Sequence, residues 1–480
     1  MANNKFYITS AIPYVNAKPH IGHAFEFVEA DAIARYHKII GDETLLLCGS
    51  DDNALKNVQA AEKENIPVQQ FIDNNSNLFL ELSKKLNVRF DIFQKGSAPA
   101  HHKSSQKLWE RCRDDIYKKD YKGLYCVGCE QFYEKDELDE NGECIEHSGK
   151  KLEVVSEENY FFKLSKYTEQ IKKLIEDETV KIIPETRKNE ILSFLKGGLK
   201  DISISRSNER AKNWGVSVPG DDTQKMYVWF DALNIYQSGI GFGTDEEKYK
   251  KWWPADLHVI GKGILRFHAV YWPAFLLSAK LELPKTIFVH EYITVNGQKM
   301  SKTLGNVIDP IELINKYGAD ALRYYFLRQI SPFADGDFSQ GKFIQSYNAD
   351  LANGLGNLVA RVAKLCETSN HTQLGSENRI SSHLVDVEVY SDALSNFRFN
   401  DALSYVWNKI SELDKYIDGE KPWKLSAGDS KLKAVLSHAV DQIQEIAALL
   451  EPFLPETAGK IQEQFKGPRI YSTEPLFPRL

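Results

Sequence analysis

An α/β fold, built on a doubly wound parallel sheet and followed by an α-helical bundle, is predicted by three features of the 480-residue sequence. Over the first hundred residues, short apolar runs end in polar turns and lead into helical periodicity, at Lys5 to Ser10 and again at Thr44 to Gly49. After a polar, cysteine-bearing interruption, sheet-like patterning resumes at Met226. From about Gln345 onward, Leu, Ala, Glu and Lys recur with a helical period and β-branched runs become scarce. With 42% hydrophobic residues the chain can bury several cores, so two to four domains are expected.

The first unit sets the pattern. Ala11 to His23 reads AIPYVNAKPHIGH: a strand ends, a Pro- and Asn-rich turn follows, and a helix begins at or just before His20. The free N–H groups of that helix make a natural seat for phosphate. His20 and His23 share one side of its first turn, and Gly22 lets a ring or ribose approach the backbone. Taken alone, the stretch reads equally well as a capped helix with two surface histidines. The second strand, TLLLCG, ends at Ser50, Asp51, Asp52 and Asn53. A carboxylate there would overlook the ligand crevice of a doubly wound sheet, though Asp51 is as readily an N-cap for the next helix.

Leu124 to Lys150 interrupts the α/β pattern with Cys126 and Cys129 in a CxxC and Cys144 and His147 in a CxxH. Two chelating pairs suit a closed tetrahedral zinc site, with Gly128 and Gly142 relaxing the turns; a redox CxxC would leave the second pair idle. With all four positions supplied by protein, the metal is expected to be structural. Next, MYVWFDALNIYQSG reads as a strand running into Asp231 and a short helix, and Trp229, Ala232, Leu233 and Tyr236 are candidate core residues on composition alone. In LHVIGKGILRFH, His258 precedes a strand and Gly261-Lys262 forms the turn after it, with Ile264 and His268 beyond.

Further on, VNGQKMSKTLGN is a polar loop with Lys299, Met300, Ser301, Lys302 and Thr303, whose two ammonium groups could follow charge building on a phosphate. Pro310 to Arg328 reads as an amphipathic segment. In the bundle, Asn357 and Arg361 lie four apart on one helical face, and Lys421-Pro422-Trp423 sits at a helix start. An exposed Trp beside Asn and Arg can stack and read an unpaired base; a buried Trp with an ordinary surface Arg is the plainer alternative.

Composition excludes several classes. The net charge of −7 means that nucleic acid must meet local basic patches. No run approaches the roughly 18 apolar residues of a membrane span, and the N-terminus has neither signal nor transit pattern. Six cysteines in so long a chain are no disulfide framework, so a cytoplasmic protein is expected.

PHIGH near the start and KMSKT far downstream together resemble the paired signatures of class I aminoacyl-tRNA synthetases. VW-D-A----Y, GNLV-R, KPW and the one-knuckle cysteine spacing are similar to the methionyl-tRNA synthetases, and the likeness runs from Phe6 to about Leu476. The resemblance implies a Rossmann-like catalytic domain in two halves, residues 1–115 and 226–290, split by a connective insert with the zinc knuckle at 116–225. It then implies a KMSKS-type loop and stem-contact region at 291–344 and an anticodon-binding helical domain at 345–480. The insert is too short for a separate editing domain.

The activity implied is that of a methionine–tRNA ligase, with ATP, L-methionine and initiator and elongator tRNA(Met) as partners, structural Zn2+ as metal, and Mg2+ accompanying ATP. On the same basis His20, His23, Lys299 and Lys302 are catalytic, and Gly22, His258, Gly261, Lys262, Met300 and Ser301 meet ATP. Ile12, Tyr14, Asp51, Trp229, Ala232, Leu233, Tyr236, Ile264 and His268 hold methionine, Asp51 through its ammonium and the aromatic rings through its thioether. Asn357, Arg361 and Trp423 read the anticodon, and Cys126, Cys129, Cys144 and His147 bind zinc. No dimerising extension follows the bundle, so a monomer is expected.

Two places depart from the family. Asn53 and Ala54 stand where it has His-Gly, and Gly263 stands where it has an acidic residue that can hold ribose hydroxyls. These departures give some weight to a non-catalytic RNA-binding paralogue, although such a protein has no use for both histidines and both lysines. The cysteine-specific synthetases are the nearest enzymatic rival, but they carry a zinc-binding cysteine ahead of their first signature, and residues 1–20 contain none.

Overall fold

The computed structural model of the chain describes residues 4–126, 131–133, 138–144, 152–300, 305–372 and 387–480. Its centre is a six-stranded parallel sheet. Strand β1 (Lys5–Ser10) lies between β2 (Glu43–Ser50) and the strand Leu257–Gly261. Outside β2 is β3 (Ile92–Lys95); on the other flank come Thr286–His290 and then Lys181–Ile183. The direction of winding reverses between β1 and Leu257–Gly261, and the crevice above their carboxyl ends is where such sheets bind ligands.

Period-two alternation explains why both faces are covered. Ile8, Leu46, Cys48, Leu257, Val259 and Phe288 face one core, shared with helix α1 (Ile21–Ile39) and the C-terminal helices. Tyr7, Leu45, Leu47, Ile260, Ile287 and Val289 face the other, shared with Trp229, Tyr236, Trp272 and Phe275. The first face joins the sheet to the C-terminal helices; the second meets a cluster of aromatic side chains.

The described residues between 116 and 225 include a four-stranded antiparallel sheet in which Ile116–Cys126 pairs along its length with Glu153–Phe162. This segment is not wholly separate from the parallel sheet, because its Lys181–Ile183 forms an edge strand beside Thr286–Phe288.

Four local expectations need correction. The strand Asp221–Met226 belongs to a small antiparallel sheet and ends before the aromatic run, and Val228–Ala232 is helical. Burial of Val228, Trp229 and Phe230 against the large sheet overrides their β propensity. His258 lies inside its strand, not before it, paired with Thr9 and Ile287. Residues 310–328 break at Gly318 (φ 88°) into the helices Pro310–Tyr317 and Ala319–Gln329, and the second is buried rather than amphipathic. Within it, fully buried Arg323 pairs with Asp31 of α1 at 2.8 Å and donates to the carbonyls of Leu86, Pro452 and Phe453. Finally, Pro422–Lys424 is a single 3-10 turn following Lys421 in the left-handed region, not the start of a helix.

Candidate active site

The crevice begins with the cap of α1. The backbone N–H of Gly22 donates to His20 Nδ1 at 3.1 Å, and that of His20 donates to His23 Nδ1 at 3.1 Å. Each Nδ1 is thus an acceptor, so each neutral ring carries its proton on Nε2. Burial, reinforced by the neighbouring His20, holds the His23 pKa well below its ordinary value, so it stays a neutral donor. The two rings lie 3.9 Å apart, centre to centre. A Cβ on Gly22 would press on the His20 ring at 3.0 Å, with the Met300 Cε 3.7 Å away. The first signature and the lysine loop therefore meet at Gly22. The cap is fixed further by Ile21 N–H donating to the Ile308 carbonyl, just past that loop.

Lys299 lies on the exposed two-residue strand Gln298–Lys299, paired with Thr294 and Val295. Ser301 and Lys302 lie outside the described residues. Gly261 ends its strand beside His290, and the Lys262 ammonium is held by Asp335 at 2.6 Å and Glu291 at 2.8 Å. Burial alone would lower its pKa; the two carboxylates raise it instead.

Asp51 is buried at the end of β2, where its N–H donates to Pro13 and its backbone bridges to Tyr14. Tyr14 meets Trp229 edge-on at 6.2 Å, and Trp229 stacks on Phe267 at 3.6 Å. His268 donates from Nδ1 to the Ile264 carbonyl at 2.9 Å, so its Nε2 accepts from the Tyr236 hydroxyl at 2.8 Å. Burial pushes the His268 pKa down to about 4, keeping the ring neutral among apolar neighbours. Ile12, Tyr14 and Ile264 are half-buried against this cluster and Leu233 is buried within it, while Ala232 is buried in the same short helix as Trp229. His258 lies behind the pocket, 4.5 Å from Tyr236, with Nδ1 2.6 Å from the Thr9 hydroxyl. It is thus placed on the aromatic side of the sheet, away from the cap where ATP was expected, because its position in the strand faces Tyr7 and Leu47 rather than α1.

Sequence reasoning missed three groups. Phe267 forms half of the stacked wall; its only signal was adjacency to His268. Asn53, one of the departures, donates to Asp231 Oδ2 at 2.6 Å and to the Gly96 carbonyl at 2.9 Å. His101 and Ser105 complete the shell of Asp231 at 2.7 and 2.8 Å. Although burial would raise the Asp231 pKa, His101 and Asn53 hold it low, so a buried anion fastens the end of β2 to the helix carrying Trp229. Third, Glu26 bridges the Ala11 N–H and His290 Nε2, at 2.9 and 3.1 Å, beside fully buried Glu29. Despite burial, the two glutamates raise His290 to about 9, and burial raises Glu29 to about 8.

Away from the crevice, Cys126 and Cys144 are both buried, and Cys144 Sγ lies 3.5 Å from the Tyr133 hydroxyl. Cys129 and His147 lie outside the described residues, among which no group of three or more metal-ligating side chains occurs. On the bundle, Arg361 is brought over the ring of Trp423 at 5.0 Å and held by Asp414 and Asp418. Trp423 is 49% exposed, and Asn357 is exposed one turn before Arg361.

A model of the family described as tRNA synthetases class I (M) matches residues 6–363. The methionine–tRNA ligase of Brucella suis is 38% identical, aligned over 100% of this chain and 98% of that protein. That of Rhizobium meliloti is 41% identical over 95% of this chain and 90% of its own length. In three dimensions, Mycobacterium tuberculosis methionyl-tRNA synthetase in complex with methionyl-adenylate superposes with a TM-score of 0.91 and 36% identity, covering 99% of this chain and 100% of that one. A crevice capped by two histidines and walled by aromatic rings therefore sits in a chain that belongs to the methionyl (M) family of class I tRNA synthetases.

Proposed function

We propose that this protein activates L-methionine with ATP to methionyl-adenylate and pyrophosphate, then transfers methionyl to the 3′ end of initiator and elongator tRNA(Met). The observation that carries this reading is continuity. Tyr14 joins Asp51 and the Trp229–Phe267 wall on one side, while the same loop ends in the His20–His23 cap touched by Met300 on the other. An aromatic pocket and an anion seat share one crevice.

In this reading the methionine ammonium sits on Asp51. Its thioether lies among Ile12, Tyr14, Trp229, Tyr236, Ile264, Phe267 and His268, where sulfur–ring contacts contribute ~0.3–1.5 kcal/mol each. The carboxylate attacks the α-phosphorus in line and pyrophosphate leaves, so no side chain acts as a nucleophile. His20 and His23 offer Nε2–H donors, and Lys299 and Lys302 offer positive charge. Mg2+ enters with ATP as part of the substrate and neutralises its phosphates. Gly22 and Gly261 leave room for the nucleotide, and Met300 and Ser301 border it.

Asn357, Arg361 and Trp423 are assigned to the anticodon, the exposed Trp ring stacking a base that the guanidinium and amide read. A structural Zn2+ fits Cys126 and Cys144, two buried thiols outside both main cores, joined by Cys129 and His147. Metal analysis should find one zinc per chain, and Cys126→Ser should lose it; a zinc-free native protein overturns this assignment. A monomer in the cytoplasm is the expected working form, in keeping with the buried free thiols Cys48, Cys112 and Cys366.

The test is ATP–pyrophosphate exchange with each of the twenty amino acids. Exchange with methionine alone supports the reading; exchange with another amino acid means that the pocket takes a different side chain.

A further inference from the structure

The half-buried ring of Tyr14 is held from two directions, and one of them is a cation. The helix Leu55–Glu64 begins just after the end of β2 and is fastened there. Leu55, Asn57 and Val58 of its first turn are buried, and the Asn57 amide donates to the Asp51 carbonyl at 2.7 Å. The backbone of Asp51 in turn bridges to Tyr14. Lys56, the second residue of this helix, is half-buried and reaches back over Tyr14, with its Nζ 2.9 Å from the ring centroid. A cation is attracted to a ring face within ~6 Å, and more strongly where water is partly excluded. The edge-on contact with Trp229 at 6.2 Å sets the ring from another side.

We propose that Lys56 is a positioning residue for the amino acid: its ammonium, seated over Tyr14, fixes that ring as a wall of the methionine pocket before the substrate enters. A side chain that must be ordered when a ligand packs against it takes the cost from affinity. A cation already over the ring meets that cost in the free protein. Lys56 is anchored to the same strand end that carries Asp51. The group assigned to the methionine ammonium and the ring assigned to its side chain are thus set by one short segment, residues 51–57. The inference rests on the reading of this crevice as the methionine site.

Lys56→Met keeps an unbranched side chain and removes its charge. In methionine-dependent ATP–pyrophosphate exchange it should raise the KM for methionine about two- to thirtyfold, the factor that a cation over a partly buried ring allows. The kcat, the KM for ATP and the melting temperature should stay as in the parent, as when uniform binding of one substrate is lost. Lys56→Arg should recover most of the loss, since a guanidinium also stacks on aromatic faces. Beside Tyr14→Leu, which has no ring, Lys56→Met should add nothing; beside Tyr14→Phe, which keeps the ring face, it should add its full penalty. L-Methioninol, which lacks the carboxylate, should lose affinity as an inhibitor by the same factor as methionine. That comparison separates a hold on the ring from direct attraction of the substrate's carboxylate.

An unchanged KM for methionine in Lys56→Met overturns the proposal. So does a penalty that persists beside Tyr14→Leu, that spares L-methioninol, that falls equally on ATP, or that Lys56→Arg leaves undiminished. Absence of methionine-dependent exchange in the parent protein defeats the underlying functional reading instead, and the two failures are distinct.

Discussion

Removing one oxygen from the proposed methionine pocket should alter affinity for the amino acid without unfolding the protein. His268 is 1% exposed, and its Nδ1–H is committed to the Ile264 carbonyl, so its Nε2 lone pair depends on the Tyr236 hydroxyl 2.8 Å away. Tyr236→Phe takes that donor away. Protonation of His268 cannot compensate near neutrality, because burial holds its pKa at about 4. In the variant, the space vacated by the hydroxyl admits one water to the orphaned nitrogen while the pocket is empty. Bound methionine expels that water, so the cost of an unsatisfied buried acceptor, ~1–3 kcal/mol, appears in the bound state. The KM for methionine in ATP–pyrophosphate exchange should therefore rise between about fivefold and 150-fold. The KM for ATP should move less than about twofold and kcat little, as expected when uniform binding is lost. Norleucine, an isostere lacking sulfur, should suffer a similar penalty, since the loss concerns His268 rather than the thioether. An unchanged KM for methionine would refute the assignment of the tautomer and of the pocket together.

Stability should fall as the solution becomes alkaline. His290 at about 9 keeps in the folded chain a proton that the unfolded chain releases near 6.5, so its contribution is complete below 6.5 and lost as pH rises through 9. Glu29 at about 8 stays protonated when folded, whereas the unfolded carboxyl ionises near 4.5, so its burial costs progressively more between those values. Urea unfolding should weaken by at most ~1.4 kcal/mol per pH unit for each extra proton held. Glu29→Gln should flatten the pH 5–8 part of that profile, and a profile as steep as the parent's would contradict this account. Trp423→Ala should leave methionine-dependent exchange intact while raising the KM for tRNA by about five- to 150-fold, the range of ~1–3 kcal/mol expected from losing one stacked base; equal charging kinetics would count against the anticodon assignment. Arg323→Met should destabilise the chain by ~1–3 kcal/mol or more, because it leaves three buried carbonyls without a donor and Asp31 with Arg35 as its remaining ion-pair partner. An unaltered unfolding midpoint would mean that the junction between α1 and the bundle is held by apolar packing alone.

Local patterns showed those parts of the site that local chemistry determines. The α1 cap could be read from PHIGH because both histidines and the glycine lie within one turn, and helix geometry alone places them together. The apolar run of β2 and the crevice carboxylate at its end were equally legible, since a buried parallel strand is written as a continuous hydrophobic stretch. The aromatic run at 228–230 misled for the opposite reason. Its conformation is decided by burial against a sheet formed elsewhere, so propensity pointed to a strand where a helix stands. His258 shows the same limit in finer form, because one residue of register decides which face of the sheet a side chain joins.

The least legible features are those assembled from distant segments, and here both departures from the family pattern belong to them. Read alone, Asn53 is a lost histidine. In the fold its amide supplies a donor to buried Asp231, so the join between β2 and the Trp229 helix survives the change. Gly263, read alone, is a lost carboxylate, yet a hydroxyl from Tyr292 occupies its volume. In each case the partner lies far along the chain, and no spacing rule brings it to mind. A missing motif residue removes a side chain and leaves a demand: an anion to be satisfied at Asp231, a volume to be filled at Gly263. Whether the function is lost depends on what answers that demand in space. At both positions another polar group of this chain does so, and this is the physical ground for expecting an active enzyme rather than an RNA-binding relic.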